Sequence, residues 1–233
     1  MKAKTWSVVS LMVAGLLMAG CSTQPKSGKY SGVPEADQLH PDARFPHSLV
    51  YIKEGANFAQ YSRLIIEPIQ IYRGADASWH KGKVTEKMKE DLAQFAQTEF
   101  ARVLGTKYPI VAQPSPSVLR VKVTLADVEL TTPALAVVSH FSPGGMGMNL
   151  LGTGAGMQGS FMGSVTMSVE LRDAATDTVL AAGLTKQTPM AVDVTKTFGN
   201  LSAARAGVTE TATKLLGALD RAHAASASGP GPQ

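Results

Sequence analysis

The sequence predicts an α+β domain: a small, mostly antiparallel sheet with two helices on one of its faces. Three observations predict it. Residues 118–128 and 165–172 alternate apolar and polar side chains with a period of two, as half-buried strands do. Residues 85–104 and 200–219 repeat apolar side chains at intervals of three or four, as amphipathic helices do. The order β-α-β-β-β-α then sets two helices against one small sheet.

Taken in turn, Arg63–Tyr72 (RLIIEPIQIY) is rich in β-branched side chains and too short for a helix, so it reads as the first strand. Pro68 has no N–H to give to a ladder, which predicts a bulge there or a pairing with only one neighbour. A helix follows from Thr85 to about Leu104. Met88, Leu92, Phe95, Ala96, Glu99, Phe100 and Val103 fall on one face, and Lys87, Glu90, Asp91 and Gln94 on the other. Thr85 is placed to cap its start, and Gly105 to end it in the left-handed conformation. In Val118–Val128, Leu119, Val121, Val123 and Leu125 share a face, with Arg120, Lys122 and Thr124 turned to water. Val165–Arg172 alternates in the same way and makes a hairpin with Thr178–Gln187 through the Asp173–Asp177 turn. Asn200 caps the last helix, whose apolar stripe is Leu201, Ala204, Val208, Ala212, Leu215 and Leu219.

The ends of the chain read differently. Lys2 and Lys4 give a positive start, Val8–Ala19 is an uncharged apolar run, and the small residues Ala19 and Gly20 lead into Cys21. This is the layout of a secretory signal peptide over residues 1–20. A spanning helix needs roughly 20 apolar residues, so the run is too short to be a strong anchor by itself. Residues 21–45 hold Pro25, Pro34 and Pro41 among Ser, Gly, Lys and Gln, and read as a tether. Residues 46–223 are one domain, and residues 224–233 (AASASGPGPQ) a disordered tail.

Composition narrows the function classes. Lys and Arg number 22 against 18 acidic residues; without Lys2 and Lys4 the balance is 20 against 18, or +2. That excess is too small and too scattered for a nucleic-acid footprint. A single cysteine excludes an intrachain disulfide and a cysteine-based zinc cluster. Charged residues make up 17%, below the average of about 25% for soluble chains.

Met18-Ala19-Gly20-Cys21 resembles the bacterial lipobox, with Met18 where Leu is usual. The resemblance implies that the Cys21 thiol takes a diacylglycerol, that cleavage falls between Gly20 and Cys21, and that the new amino group receives a fatty acid such as palmitate. Lipid transfer needs a thiol as nucleophile, and this chain's only thiol stands at the end of the apolar run. Several acyl chains together anchor a protein stably where one does not. Ser22, where Asp would signal retention at the inner membrane, implies the periplasmic face of the outer membrane.

Arg63–Tyr72, Lys107–Val111 and Pro116–Val128, with the helix between the first two, resemble a family of bacterial lipoproteins catalogued as domain of unknown function 3313. The similarity runs from about residue 45 to 220, and the Glu67-Pro68-Ile69 block and the Leu119–Asp127 strand are its most specific parts. That family has no established activity, so the resemblance implies an envelope lipoprotein and leaves the biochemistry open. The element order also resembles that of periplasmic α+β accessory domains, which is a likeness of topology alone.

Leu130–Val169 contains no Asp, Glu, Lys or Arg, and His140 is its one ionisable side chain. A soluble stretch of this length ordinarily carries charge. Three readings stay open for the Gly- and Met-rich part, residues 130–163: a flap over the domain's own sheet, a surface that meets a partner or second copy, or a segment inserted in the outer membrane within an assembly. Met146, Met148, Leu150, Leu151, Met157, Phe161 and Met162 are the candidate partner or membrane surface.

Several motifs carry no expectation of chemistry. Gly154-Ala-Gly156-Met-Gln-Gly159 matches a dinucleotide fingerprint in letters, but a strand follows it where the fingerprint needs a helix. His40, His47, His80, His140 and His223 show no metal-binding spacing and read as solvated. Gly159-Ser160-Phe161-Met162-Gly163 has the wrong spacing for a nucleophile elbow. Glu67 reads as an edge carboxylate facing water or pairing with Arg63 or Arg73, and Asp127 and Glu129 as solvated charges on one strand face. No catalytic residue, metal site or cofactor is therefore expected. The expectation is a lipid-anchored, non-catalytic binding or assembly module at the outer membrane, partnered by membrane lipid through acylated Cys21 and by an envelope protein or itself. Two alternatives stay open: a cell-envelope hydrolase, against which stands the lack of a nucleophile–base pair, and a subunit of an oligomeric outer-membrane secretion channel.

Overall fold

The computed structural model describes residues 25, 36–45, 47–77, 79–130, 163–188 and 201–227. They form a mixed seven-stranded sheet and two long helices, the α+β class expected. The strands are β1 (His40–Pro41), β2 (Ser48–Ile52), β3 (Arg63–Ile66), β4 (Gln70–Ile71), β5 (Val118–Glu129), β6 (Ser164–Asp173) and β7 (Val179–Gln187). The helices are α1 (Glu86–Leu104) and α2 (Ser202–Ala227). The sheet order is β1-β2-β7-β6-β5-β3, with β4 also on β5, and the sheet does not close.

The long strands are antiparallel neighbours, and β3 and β4 run parallel to β5. Pro68 divides the expected 63–72 strand in two; each half pairs with β5, and Leu64 is also bridged by Ile110. The gap is not left open: Glu67 N–H donates to the Val121 carbonyl (3.0 Å), and Ile69 N–H to Gln97 Oε1 of α1 (3.0 Å). Thr85 caps α1, its hydroxyl accepting from Met88 N–H (3.3 Å).

Leu119, Val121, Val123 and Leu125 join Val165 and Met167 in one core with Leu92, Ala96, Phe100 and Leu104 of α1 and Ala204, Val208, Ala212 and Leu219 of α2. Burying each such large aliphatic contributes roughly 1.5–3 kcal/mol. Near the end of β5 the register slips between Leu125 and Asp127. Ala126 takes the extra place, so Val128 continues the helix-facing row and Asp127 leaves it. A smaller cluster of Leu39, Leu49, Ala126, Ala182 and Leu184 lies on the other sheet face, where Leu49 stands opposite Leu184 and Leu184 opposite Ser168.

Three features depart from the sequence reading. Strands β1 and β2 add an antiparallel edge beside β7, and Leu39, inside the segment read as tether, is buried. Gly105 has a right-handed backbone (φ −63°) instead of a left-handed one; a Cβ there would come within 2.5 Å of the Ala101 carbonyl oxygen, so a close approach accounts for the glycine. Helix α2 continues to Ala227, past the start of the expected tail. Asn200 lies outside the described residues.

Candidate functional site

Gly20 and Cys21, His140, the Gly154–Gly159 tract, Ser160 and the surface of Met146, Met148, Leu150, Leu151, Met157, Phe161 and Met162 all lie outside the described residues. Among the described residues no helix is long and apolar enough to cross a membrane. Nor do His, Cys, Asp and Glu form a group of three or more placed to hold a metal ion.

The three carboxylates weighed from the sequence have local partners. Glu67 pairs with Arg120 (3.0 Å), not with Arg63 or Arg73; Arg63 instead donates to the Ser115 and Ser117 hydroxyls, and Arg73 to Glu86. Asp127 is buried by the bulge, and its Oδ1 accepts from Val128 N–H (2.9 Å). Glu129 bonds Lys186 (2.8 Å) and the Ser164 hydroxyl (2.8 Å). Partial burial works against its ionisation, but these donors outweigh it and hold the carboxyl below its ordinary value.

Arg120 and Lys122 are not turned freely to water. Lys122 stands opposite Glu170 in the ladder and Arg120 opposite Arg172. Glu170 is only 1% exposed and takes Lys122 (3.2 Å) and Arg172 (2.8 Å), while Asp177 takes Arg172 (3.3 Å). Three cations and three carboxylates (Arg120, Lys122, Arg172, Glu67, Glu170, Asp177) thus interleave on the helix-free face, where like charges alone would repel.

A second polar cluster forms where α1 ends beside the last turns of α2. Ser62, Lys107, Tyr108, Asp220 and His223 line a cleft of about 550 Å³. Lys107 pairs with Asp220 Oδ2, and the Tyr108 hydroxyl donates to Asp220 Oδ1 (3.4 Å). The His223 ring meets Tyr108 edge-on, with centroids 5.5 Å apart and planes at 76°. Its Nε2 is buried and makes no hydrogen bond among the described residues. Burial, with the Asp220 charge and hydrogen bond adding to it, pushes the Tyr108 phenol above its ordinary value and keeps it protonated. The sequence reading placed His223 in solvent because it stopped the helix near Leu219. Continuing the 3.6-residue repeat brings Asp220 and His223, three apart, to one side of α2. Their meeting with Tyr108, more than a hundred residues away, has no sequence signal.

His40 Nδ1 lies 3.1 Å from the Gln38 carbonyl. His47 has a left-handed backbone (φ 63°), and burial, with the Lys214 charge behind it, lowers its pKa. Among the described residues two large apolar side chains are exposed: Ile52 at the end of β2, and Ile110, which bridges Leu64 of β3.

Solved structures similar in chain path include the PelC dodecamer from Paraburkholderia phytofirmans, at 12% identity and a TM-score of 0.39, covering 72% of this chain and 97% of that one. A DUF4136 family protein from Bacteroides thetaiotaomicron is similar at 11% identity and a TM-score of 0.36, covering 78% of this chain and 98% of that one. A search of curated proteins returns no match. The family model described as protein of unknown function (DUF3313) matches residues 29–215, and the chain therefore belongs to that family.

Proposed function

We propose that this chain is a lipid-anchored protein of the bacterial envelope, held through Cys21 at the periplasmic face of the outer membrane, and that it works by binding or assembly without chemistry of its own. The observation that carries the reading is the placement of the chain's only cysteine directly after an apolar run and the Ala19-Gly20 pair. Supporting it, Glu67 and Glu129 hold cations and a hydroxyl on other strands and Asp127 accepts from the backbone of its own strand, a structural use of carboxylates.

Cys21→Ser is the test of the anchor. The wild-type chain fractionates with outer membranes at a mass that reports cleavage and acylation; the variant is released or persists as an uncleaved precursor. Equal fractionation and equal mass shift for both chains would refute the anchor. Crosslinking mass spectrometry on intact envelopes tests the module: a reproducible neighbour, or a second copy, supports it. Turnover of a wall or lipid substrate that Glu67→Gln or Asp127→Asn abolishes would replace it with the hydrolase.

A further inference from the structure

The cleft between the end of α1 and the end of α2 is built from three distant stretches: Ser62 just before β3, Lys107 and Tyr108 just after α1, and Asp220 and His223 on one side of α2. The space they line, about 550 Å³, is open to solvent. The hydrogen-bonding capacity left in it is lopsided. The Asp220 carboxylate is already met by the Lys107 ammonium on one oxygen and by the Tyr108 hydroxyl on the other. Lys107 has three N–H donors, and the pair with Asp220 occupies one; its side chain remains 56% exposed. Ser62, an exposed residue, lines the same space. His223 Nε2 is buried without a partner among the described residues, a polar atom that costs free energy until something bonds it.

We propose that this cleft binds an oxyanion group, a phosphate or carboxylate carried by a solute or by a lipid headgroup. The groups left over include donors: two N–H of the Lys107 ammonium, the Ser62 hydroxyl and, in the tautomer that carries its proton there, His223 Nε2. An oxyanion accepts from any of these through charge-assisted hydrogen bonds, which are stronger than neutral ones. A metal ion would find Asp220 and His223 as its strong ligands and would have to displace the Lys107 ammonium and the Tyr108 hydroxyl from Asp220. An apolar ligand would strip water from the ammonium and leave Nε2 unpaired. The Tyr108 phenol, kept protonated, fixes Asp220 and the His223 ring and adds no negative charge. The inference does not depend on how the chain is anchored.

The test uses the full chain in non-ionic detergent micelles, titrated with inorganic phosphate and separately with acetate, followed by calorimetry and by the imidazole resonances of His223. Saturable binding that moves those resonances is expected. Lys107→Met and His223→Phe, which keeps the edge-on ring, should each weaken it roughly tenfold. Arg221→Gln removes a charge from the same helix turn and should leave affinity unchanged. The resonance shift in the wild-type chain supports or refutes the site even if a variant fails to fold. Adding phosphatidylglycerol to the micelles separates the sources: weaker apparent phosphate affinity identifies a lipid headgroup as competitor, and unchanged affinity a soluble ligand. No saturable shift with either anion, or equal affinity in Lys107→Met and His223→Phe, overturns the proposal.

Discussion

Gly207 of α2 lies directly on Val165 of β6: a Cβ at position 207 would stand 2.6 Å from Val165 Cγ1 and 3.0 Å from Gln187 Cβ. The missing methyl lets the helix backbone settle onto the start of β6 and the end of β7. In an exposed helix, alanine for glycine stabilises by about 1 kcal/mol. Here overpacking reverses the sign. Gly207→Ala should destabilise by roughly 1–3 kcal/mol, read as a lower denaturant midpoint. Gly217→Ala on the same helix would meet only the tip of Arg221 at 3.4 Å and should stabilise by a few tenths to about 1 kcal/mol.

Glu170 is the most deeply buried member of the charged ladder on the helix-free face, its carboxylate shared by Lys122 and Arg172. Glu170→Gln leaves two partly buried cations with a neutral acceptor. A loss of about 2–4 kcal/mol in chemical unfolding is expected. Asp91→Asn, which breaks the exposed Lys87 pair on α1, should leave the midpoint unmoved.

Tyr61 gives the protein an alkaline limit. Its ring is 2% exposed, and its hydroxyl donates to Asp173 Oδ2 at 2.8 Å. Burial first, and then this bond, push its pKa up from 10.0 to about 12. Between those values the unfolded chain gives up a proton that the folded chain keeps. The stability is therefore complete below pH 10 and is lost as the pH rises toward 12, at up to about 1.4 kcal/mol per pH unit. Comparing Tyr61→Phe with wild type by urea unfolding at pH 9 to 11 should show the phenylalanine chain with the shallower alkaline slope.

The same substitution acts on Asp173 from the acid side. Burial opposes its charge, but the Tyr61 hydroxyl and the Thr176 N–H and hydroxyl hold its carboxyl below the ordinary value. That contribution is present above the unfolded pKa and is lost as the pH falls through the folded one. Tyr61→Phe removes one donor, so carbon-detected titration should find the Asp173 carboxyl shifted upward. An unchanged value would mean that the turn alone, through Ala175 and Thr176, sets it.

Gln97 closes the gap that Pro68 opens in the edge strand. Gln97→Leu fills similar space and leaves Ile69 N–H without its acceptor, for a loss of about 1 kcal/mol. Hydrogen exchange at Ile69 should quicken in the variant, with the amides of β5 unaffected.

Periodicity alone was enough for α1, the apolar row of β5, and the β6–β7 hairpin, because each repeats one face over several turns or pleats and a long repeat has only one regular solution. Strand β2 was illegible: Ser48–Ile52 is too brief to show alternation and follows a Pro-rich stretch, and only β7 alongside it makes it a strand. The polar face of β5 was read as solvated because Arg and Lys on a strand ordinarily are; Glu170, some fifty residues on, turns that row into an ion-paired ladder. The cleft between the helix ends was hidden for the same reason, since Ser62, Lys107 and His223 have no relation along the chain until two helix ends and a strand start converge. The sequence by itself determined α1, β5, the β6–β7 hairpin and their amphipathic faces, and it carries the expectation of a lipid address at Cys21, all of them local properties of a few neighbouring residues. Tertiary structure alone decided which charges meet, because hydrogen bonds and ion pairs act over a few ångströms and the chain brings those atoms that close only once it has folded.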